Sequence, residues 1–158
     1  MGASTHHLPA TTATEPPVVA TVIEVLRAAS VISAALTPVV REFGLTLAAF
    51  NVLHTLAHAD SPLLPRDISQ RQVIRPQTLS DILGTLEEDG LVDRLRDRRD
   101  RRMLLVALTD TGRTRYHACC QPLLTVETQL LNRLNPHQLG ELFTLLNQIS
   151  QDTGPTPR

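Results

Sequence analysis

Between Arg94 and Arg102 the chain sets six arginines against two aspartates, Asp97 and Asp100, a local balance of +4 in a 158-residue protein of net charge −1. Guanidinium groups crowded this way can displace counterions from phosphates and fit a narrow, electronegative minor groove. Affinity for a polyanion follows where charge sits more than its sum. The cluster is Arg94, Arg96, Arg98, Arg99, Arg101 and Arg102. Upstream, Gln77, Thr78 and Ser80 carry short polar side chains suited to base edges or phosphate oxygens. Arg66 and Arg71 are placed either to clamp phosphates or to stand as ordinary exposed arginines. The plain alternative is a solvated turn of weak Arg–Asp pairs behind an ordinary polar helix face.

Other reactive groups carry less. Cys119 and Cys120 are adjacent, so on a helix they point about 100° apart and cannot readily bridge each other. No second Cys/His cluster completes a zinc site with them or with His117, so packing is the expected role and a reactive thiol the alternative. His54 and His58 lie one helical turn apart, without the intervening glutamate of a zinc-protease motif, and are read as core or interface residues. If a small-molecule pocket exists, His54 is the residue expected to line it. Glu87 and Glu88 are read as solvated or paired, and Asp110 as a helix-start charge. No nucleophile elbow, phosphate loop, dinucleotide fingerprint or paired-carboxylate arrangement is present in the sequence. The expectation is no enzyme, no cofactor and no metal.

The elements that must position the polar and basic groups follow from periodicity. Leu79, Ile82, Leu83 and Leu86 form one helical stripe, with Pro76 in the first turn and Gly90 as the stop. Gln77, Thr78, Ser80 and Asp81 then fall on the outer face. Leu91-Val92 and Met103 to Leu108 read as two strands bracketing the arginine-dense turn. Ahead of these, Thr46 is a plausible N-cap for a helix burying Phe50, Leu53, Leu56 and Ala57. Ala59 to Pro62 is a turn, Pro65 opens a short helix to about Gln72, and Val73-Ile74-Arg75 is a tight turn. Two short helices so joined, followed by a basic hairpin, outline a winged helix-turn-helix.

The flanks are helical as well. Val22, Val25, Leu26, Ala29, Ile32, Leu36 and Val39 share a broad stripe within 18–43, with Pro38 expected to kink or break the helix and Gly44 to end it. Thr109-Asp110-Thr111-Gly112 reads as a cap opening a long helix that Pro122 should bend. Asn135-Pro136 restarts the chain ahead of Leu139, Leu142, Phe143, Leu146 and Ile149. These stripes exceed what one small core absorbs, so a homodimer formed by the terminal helices is expected, with two recognition helices about one DNA turn apart. The organisation expected is a disordered arm (1–17), a dimerisation helix (18–44), a DNA-binding region (45–109), further dimerisation helices (110–151) and a tail (152–158).

Composition agrees with a mainly α fold carrying a small β-hairpin wing. Hydrophobic residues make up 42% and charged residues 20%, typical of a soluble globular protein, while 3% aromatics leave the core to aliphatic side chains. With no signal peptide, no long apolar span and no disulfide framework read from the sequence, the expected location is the cytoplasm, without a membrane partner.

In the order and spacing of several motifs the chain resembles the MarR family of bacterial winged-helix regulators. The resemblance is carried by Leu45-Thr46, Leu86-Glu87-Glu88-Asp89-Gly90-Leu91-Val92, Arg94, Asp100-Arg101-Arg102, Leu108 to Arg113, and Leu134-Asn135-Pro136 with Leu142 and Leu145-Leu146. It covers roughly residues 20–150. It implies a homodimer on a pseudo-palindromic operator in double-stranded DNA, usually a repressor. Many such proteins are released by a small aromatic or phenolic effector, and some by cysteine oxidation. It further implies that Asp100 orients Arg102 into the minor groove, and that Arg75, Gln77, Thr78, Ser80 and Asp81 face the major groove. Asp81, where the family often has a basic residue, and Gly84, about 1 kcal/mol worse than alanine inside a helix, depart from the pattern. They leave an interaction module with weakened DNA binding as the alternative, beside a thiol-based sensor.

Overall fold

A computed structural model describes residues 18–72, 74–97 and 100–151. The arm expected over 1–17, the tail over 152–158, and Val73, Arg98 and Arg99 lie outside them. The described chain runs α1 (Val18–Glu42), α2 (Leu47–Ala57), α3 (Pro65–Gln72), α4 (Pro76–Glu88), β1 (Val92–Arg96), β2 (Leu104–Leu108), α5 (Asp110–Leu131) and α6 (Pro136–Gln151). Two compact units divide it, residues 1–31 and residues 32–158.

The helix ends are written in local chemistry. Thr46 caps α2 by accepting from the Ala49 N–H at 3.1 Å, and Thr109 caps α5 by accepting from the Gly112 N–H at 2.9 Å. Asn135 and Gln138 exchange side-chain bonds with each other's N–H at 2.9 and 3.0 Å, a reciprocal cap that opens α6. At their C-termini α1 and α4 turn off at Gly44 (φ 72°) and Gly90 (φ 68°). Leu45 N–H then reaches Val40 O and Leu91 N–H reaches Leu86 O, closing left-handed C-caps that a side chain with a Cβ would strain. Neither proline breaks its helix: α1 continues through Pro38 to Glu42, and α5 through Pro122 to Leu131.

Within residues 32–158 the core is aliphatic. Val40, Val52, Leu53, Ile68, Leu79, Leu83, Leu86, Leu91, Val92 and Val106 are fully or almost fully buried, drawing α2, α3, α4 and the hairpin around one centre. The hairpin is antiparallel, with Val92 opposite Leu108 and Arg96 opposite Leu104. Two features depart from the sequence reading. β1 extends to Arg96, so Arg94 and Arg96 belong to a strand rather than to the turn, and Met103 falls just outside β2. Leu63, read as lying between a turn and a helix, pairs with Val106 through two backbone bonds of 3.0 and 2.8 Å, adding a third short edge to the sheet.

In α1 the expected stripe is largely exposed. Leu36 and Val40 are buried, whereas Val18 is 81% and Leu26 64% exposed. By length and composition alone α1 is long and apolar enough to cross a bilayer, contrary to the absence of a long apolar span read from the sequence. The same pattern suits a helix that meets another protein surface. Glu24 and Arg27 pair on it at 3.6 Å. In α6, Phe143 (72%) and Ile149 (62%) are also exposed.

Gly112 is the tightest backbone site. A Cβ there would lie 2.0 Å from Leu91 O and 2.9 Å from Leu108 Cδ1. Gly112→Ala should therefore cost about 3 kcal/mol of stability. Gly90→Ala, strained in φ but facing open space, should cost about 1 kcal/mol. Urea unfolding of both variants checks the order, and an equal loss would contradict the close approach at Gly112.

Candidate nucleic-acid interface

The polar face of α4 is held out by what the helix buries. Leu79, Leu83 and Leu86 are sealed in the core, while Gln77, Thr78, Ser80 and Asp81 are exposed. Arg75 occupies the N-cap position with no side-chain capping bond and Pro76 follows at the first turn, so the opening amides of the helix have no side-chain cap. The preceding turn is clasped by the Ser69 hydroxyl donating to Ile74 O and by Ile74 N–H donating to Ser69 O at 3.1 Å. Gln72, the last residue of α3, donates to Asn51 O at 3.1 Å and to the buried Thr55 hydroxyl of α2. These bonds fix α3 and α4 on the α2 platform.

The wing is organised by Asp100. Its carboxylate accepts from the Arg102 N–H at 3.0 Å and its carbonyl from the Met103 N–H at 2.9 Å, while Asp97 N–H donates to Met103 O at 3.0 Å. The aspartate thus sets the backbone that carries Arg102. Arg96 donates through Nη1 to Arg101 O at 3.1 Å, and Arg101 and Arg102 are exposed. Arg94 takes part in an ion pair. Its Nε lies 2.8 Å from Glu87 Oε2, a half-exposed pair that ties β1 to the end of α4. Sequence reading put Arg94 with the free wing charges and left Glu87 solvated or paired; the turn at Gly90 brings the two together.

A cavity of about 200 Å³ beside Pro76 is lined by Arg66, Ser69, Ser80 and Arg94, bringing α3, α4 and β1 together. Arg66 also lies 3.5 Å from Asp67, and Arg71 is exposed. Asp81 accepts from Gln77 Nε2 at 3.2 Å.

On the opposite side of α2, His54 Nδ1 lies 3.0 Å from the Tyr116 hydroxyl of α5, and the His58 ring stands 4.3 Å from that of His54. Burial holds the His54 imidazole below its usual 6.5, His58 lowers it further, and Glu127 opposes both. Burial, then the adjoining Cys120, pushes the Tyr116 hydroxyl up to about 12. Cys119 is fully buried, and burial followed by the neighbouring Cys120 pushes its thiol up to about 11 against the pull of Arg115. A protonated, enclosed thiol is poorly suited to react with oxidants. Among the described residues no group of three or more His, Cys, Asp or Glu side chains converges as a metal site.

The arrangement is a winged helix-turn-helix with an exposed polar recognition helix beside a basic hairpin. Residues 43–103 match the model of the MarR family. The chain is 28% identical over 113 residues to the homoprotocatechuate degradative operon repressor of Escherichia coli, covering 71% of this chain and 75% of that one. In fold it is similar to CouR from Rhodococcus jostii RHA1 bound to p-coumaroyl-CoA, at TM-score 0.79 and 20% identity over 85% of this chain and 94% of that one. It is similar also to the organohalide-sensing regulator RdhR-CbdbA1625 in its 2,4-dichlorophenol-bound form, at TM-score 0.77 and 19% identity over 96% and 89%. Through residues 43–103 and in its fold, the chain resembles the MarR family of winged-helix transcriptional regulators.

His54 supplies a pH test. Its folded-state pKa is depressed, so the unfolded chain binds the extra proton first. The resulting contribution to stability is present above 6.5 and lost as pH falls through the window below it. From about pH 7.5 to about pH 5, wild type should lose stability that His54→Gln does not. Parallel urea midpoints for the two proteins would contradict this assignment.

Proposed function

We propose that the protein is a homodimeric, sequence-specific transcriptional repressor acting in the cytoplasm. It binds a pseudo-palindromic operator and is released by a small aromatic or phenolic effector. The observation that carries the reading is the exposed row of Gln77, Thr78, Ser80 and Asp81 on α4 beside a wing whose tip presents Arg101 and Arg102. A helix of this width enters the major groove, and an arginine held at a hairpin tip suits the adjacent minor groove. Arg75 is assigned to the major groove with the outer face of α4, and Arg66 and Arg71 to phosphates. Arg96 extends the basic wing and Asp100 holds its shape; Arg98 and Arg99, outside the described residues, are assigned to DNA on their charge.

The domain scheme assigns residues 45–109 to DNA and the helices within 18–44 and 110–151 to the dimer. The exposed apolar faces of α1 and α6 support it, since solvent leaves such faces at a large cost in hydration. The effector class is supported by the aromatic ligands bound in two structures of similar fold, p-coumaroyl-CoA and 2,4-dichlorophenol, and by the relative that represses a homoprotocatechuate degradative operon. His54, bonded to Tyr116 across α2 and α5, is the residue proposed to sense the effector. Release would be a population shift toward a spacing of the two recognition helices that does not fit successive major grooves.

Binding to the DNA upstream of its own coding sequence, across a salt series and against unrelated duplex, tests the reading. Specific binding with a steep negative salt dependence is expected. Arg102→Ala should weaken it by roughly tenfold or more and reduce the salt slope by about 1. No preference over competitor, on that DNA and on a wide pool of sequences, would favour an interaction module instead.

A further inference from the structure

At roughly 100° per residue, Gln77, Asp81, Gly84 and Glu88 lie opposite the buried Leu79, Leu83 and Leu86, along the centre of the outer face of α4. That line holds an amide, a carboxylate, a position with no side chain and a second carboxylate. Gln77 and Asp81 are not independent: Gln77 Nε2 donates to Asp81 Oδ1 at 3.2 Å, one turn apart, and both residues are exposed. The Thr85 hydroxyl donates at 3.3 Å to the Asp81 carbonyl rather than to its carboxylate, leaving the second carboxylate oxygen without competition from that group. A Cβ built on Gly84 meets nothing within 4 Å, so the face is open on the C-terminal side of the pair.

We infer that Gln77 and Asp81 act as one reading unit whose carboxylate selects cytosine at one position of each half-site. This deepens the DNA-binding reading and rests on it. An ionised carboxylate only accepts hydrogen bonds. In the major groove guanine presents two acceptors, N7 and O6, and thymine presents the O4 acceptor and a methyl group; each rejects a carboxylate. Adenine places its N6 donor beside its own N7 acceptor, whereas the major-groove edge of cytosine itself offers the N4 donor and no acceptor. Gln77 commits one N–H to Asp81 and keeps its second N–H and its Oε1, the pair of groups needed for the neighbouring base.

The same carboxylate repels phosphate on every sequence. Asp81 therefore lowers non-specific affinity while contributing at its matched base, and raises the ratio between the two. Gly84 lets the helix approach the groove floor closely enough for a side chain as short as aspartate to reach a base edge.

The test is selection of bound duplexes from a randomised pool by the full-length protein, for wild type, Asp81→Asn and Gly84→Leu. Wild type should recover a cytosine in each half-site. Changing it to thymine should weaken wild-type binding by roughly tenfold or more. Asp81→Asn should bind unrelated DNA more tightly, and should lose the cytosine requirement while keeping the rest of the recovered sequence. Gly84→Leu, on an open exposed face, should keep the fold by circular dichroism and lose selectivity by holding the helix away from the bases. A wild-type consensus that Asp81→Asn reproduces unchanged would overturn the inference and leave the regulator reading standing. Failure of wild type to select any sequence would overturn both.

Discussion

The backbone of Gly112 lies against the carbonyl of Leu91, and the geometry of the winged helix-turn-helix follows from that approach. Thr109 donates its N–H to Leu91 O at 3.1 Å and its hydroxyl to Gly90 O at 2.8 Å, while its hydroxyl oxygen also accepts from Gly112. One threonine thus joins the end of the recognition helix, the start of the wing and the start of α5. The left-handed turn at Gly90 delivers Leu91 to this point, and only a glycine at 112 admits it. Glu87 and Arg94 then lock the same corner from the outer side. The end of α4 and the start of the wing are in this way referred to a single small region, and their relative angle is not left to the wing's exposed tip.

A second tie runs from this half toward the long helix. α2 packs against α3 and α4 on one side and α5 on the other. Gln72 bonds to α2 beside Thr55, and His54, a residue earlier, meets Tyr116. A change in the rings between α2 and α5 therefore has a short mechanical route to the turn before α4. The proposed population shift would use that route, because the rings at His54 and the turn before α4 both contact α2.

Much of this was legible in the sequence, for identifiable reasons. Leu79, Leu83 and Leu86 show helical spacing, Pro76 and Gly90 punctuate it, and Thr46 and Thr109 are caps whose chemistry is local. Such signals need no knowledge of distant neighbours. What sequence reading missed is non-local. Leu63 pairs with Val106 across more than forty residues, and nothing near Leu63 announces a strand. Arg94 belongs to a run of like residues until the turn at Gly90 brings Glu87 beside it. Of the kink or break expected at Pro38 the break does not occur, because a missing N–H is a loss of one bond in a 25-residue helix. Among candidate site residues, exposure of Gln77, Thr78, Ser80 and Asp81 followed from the buried stripe, whereas the Gln77–Asp81 bond required coordinates.

The third sheet edge at Leu63 also has a consequence for solubility. With Leu63 bridging Val106 on the far side of β2, the strand edge with no pairing among the described residues is that of β1, whose sequence is Val92-Asp93-Arg94-Leu95-Arg96. An unpaired strand edge invites another chain to add to it, and charged side chains along the edge discourage that addition. Asp93, Arg94 and Arg96 are exposed there. The basic wing accordingly guards the small sheet against growing from copy to copy, whether or not nucleic acid is bound.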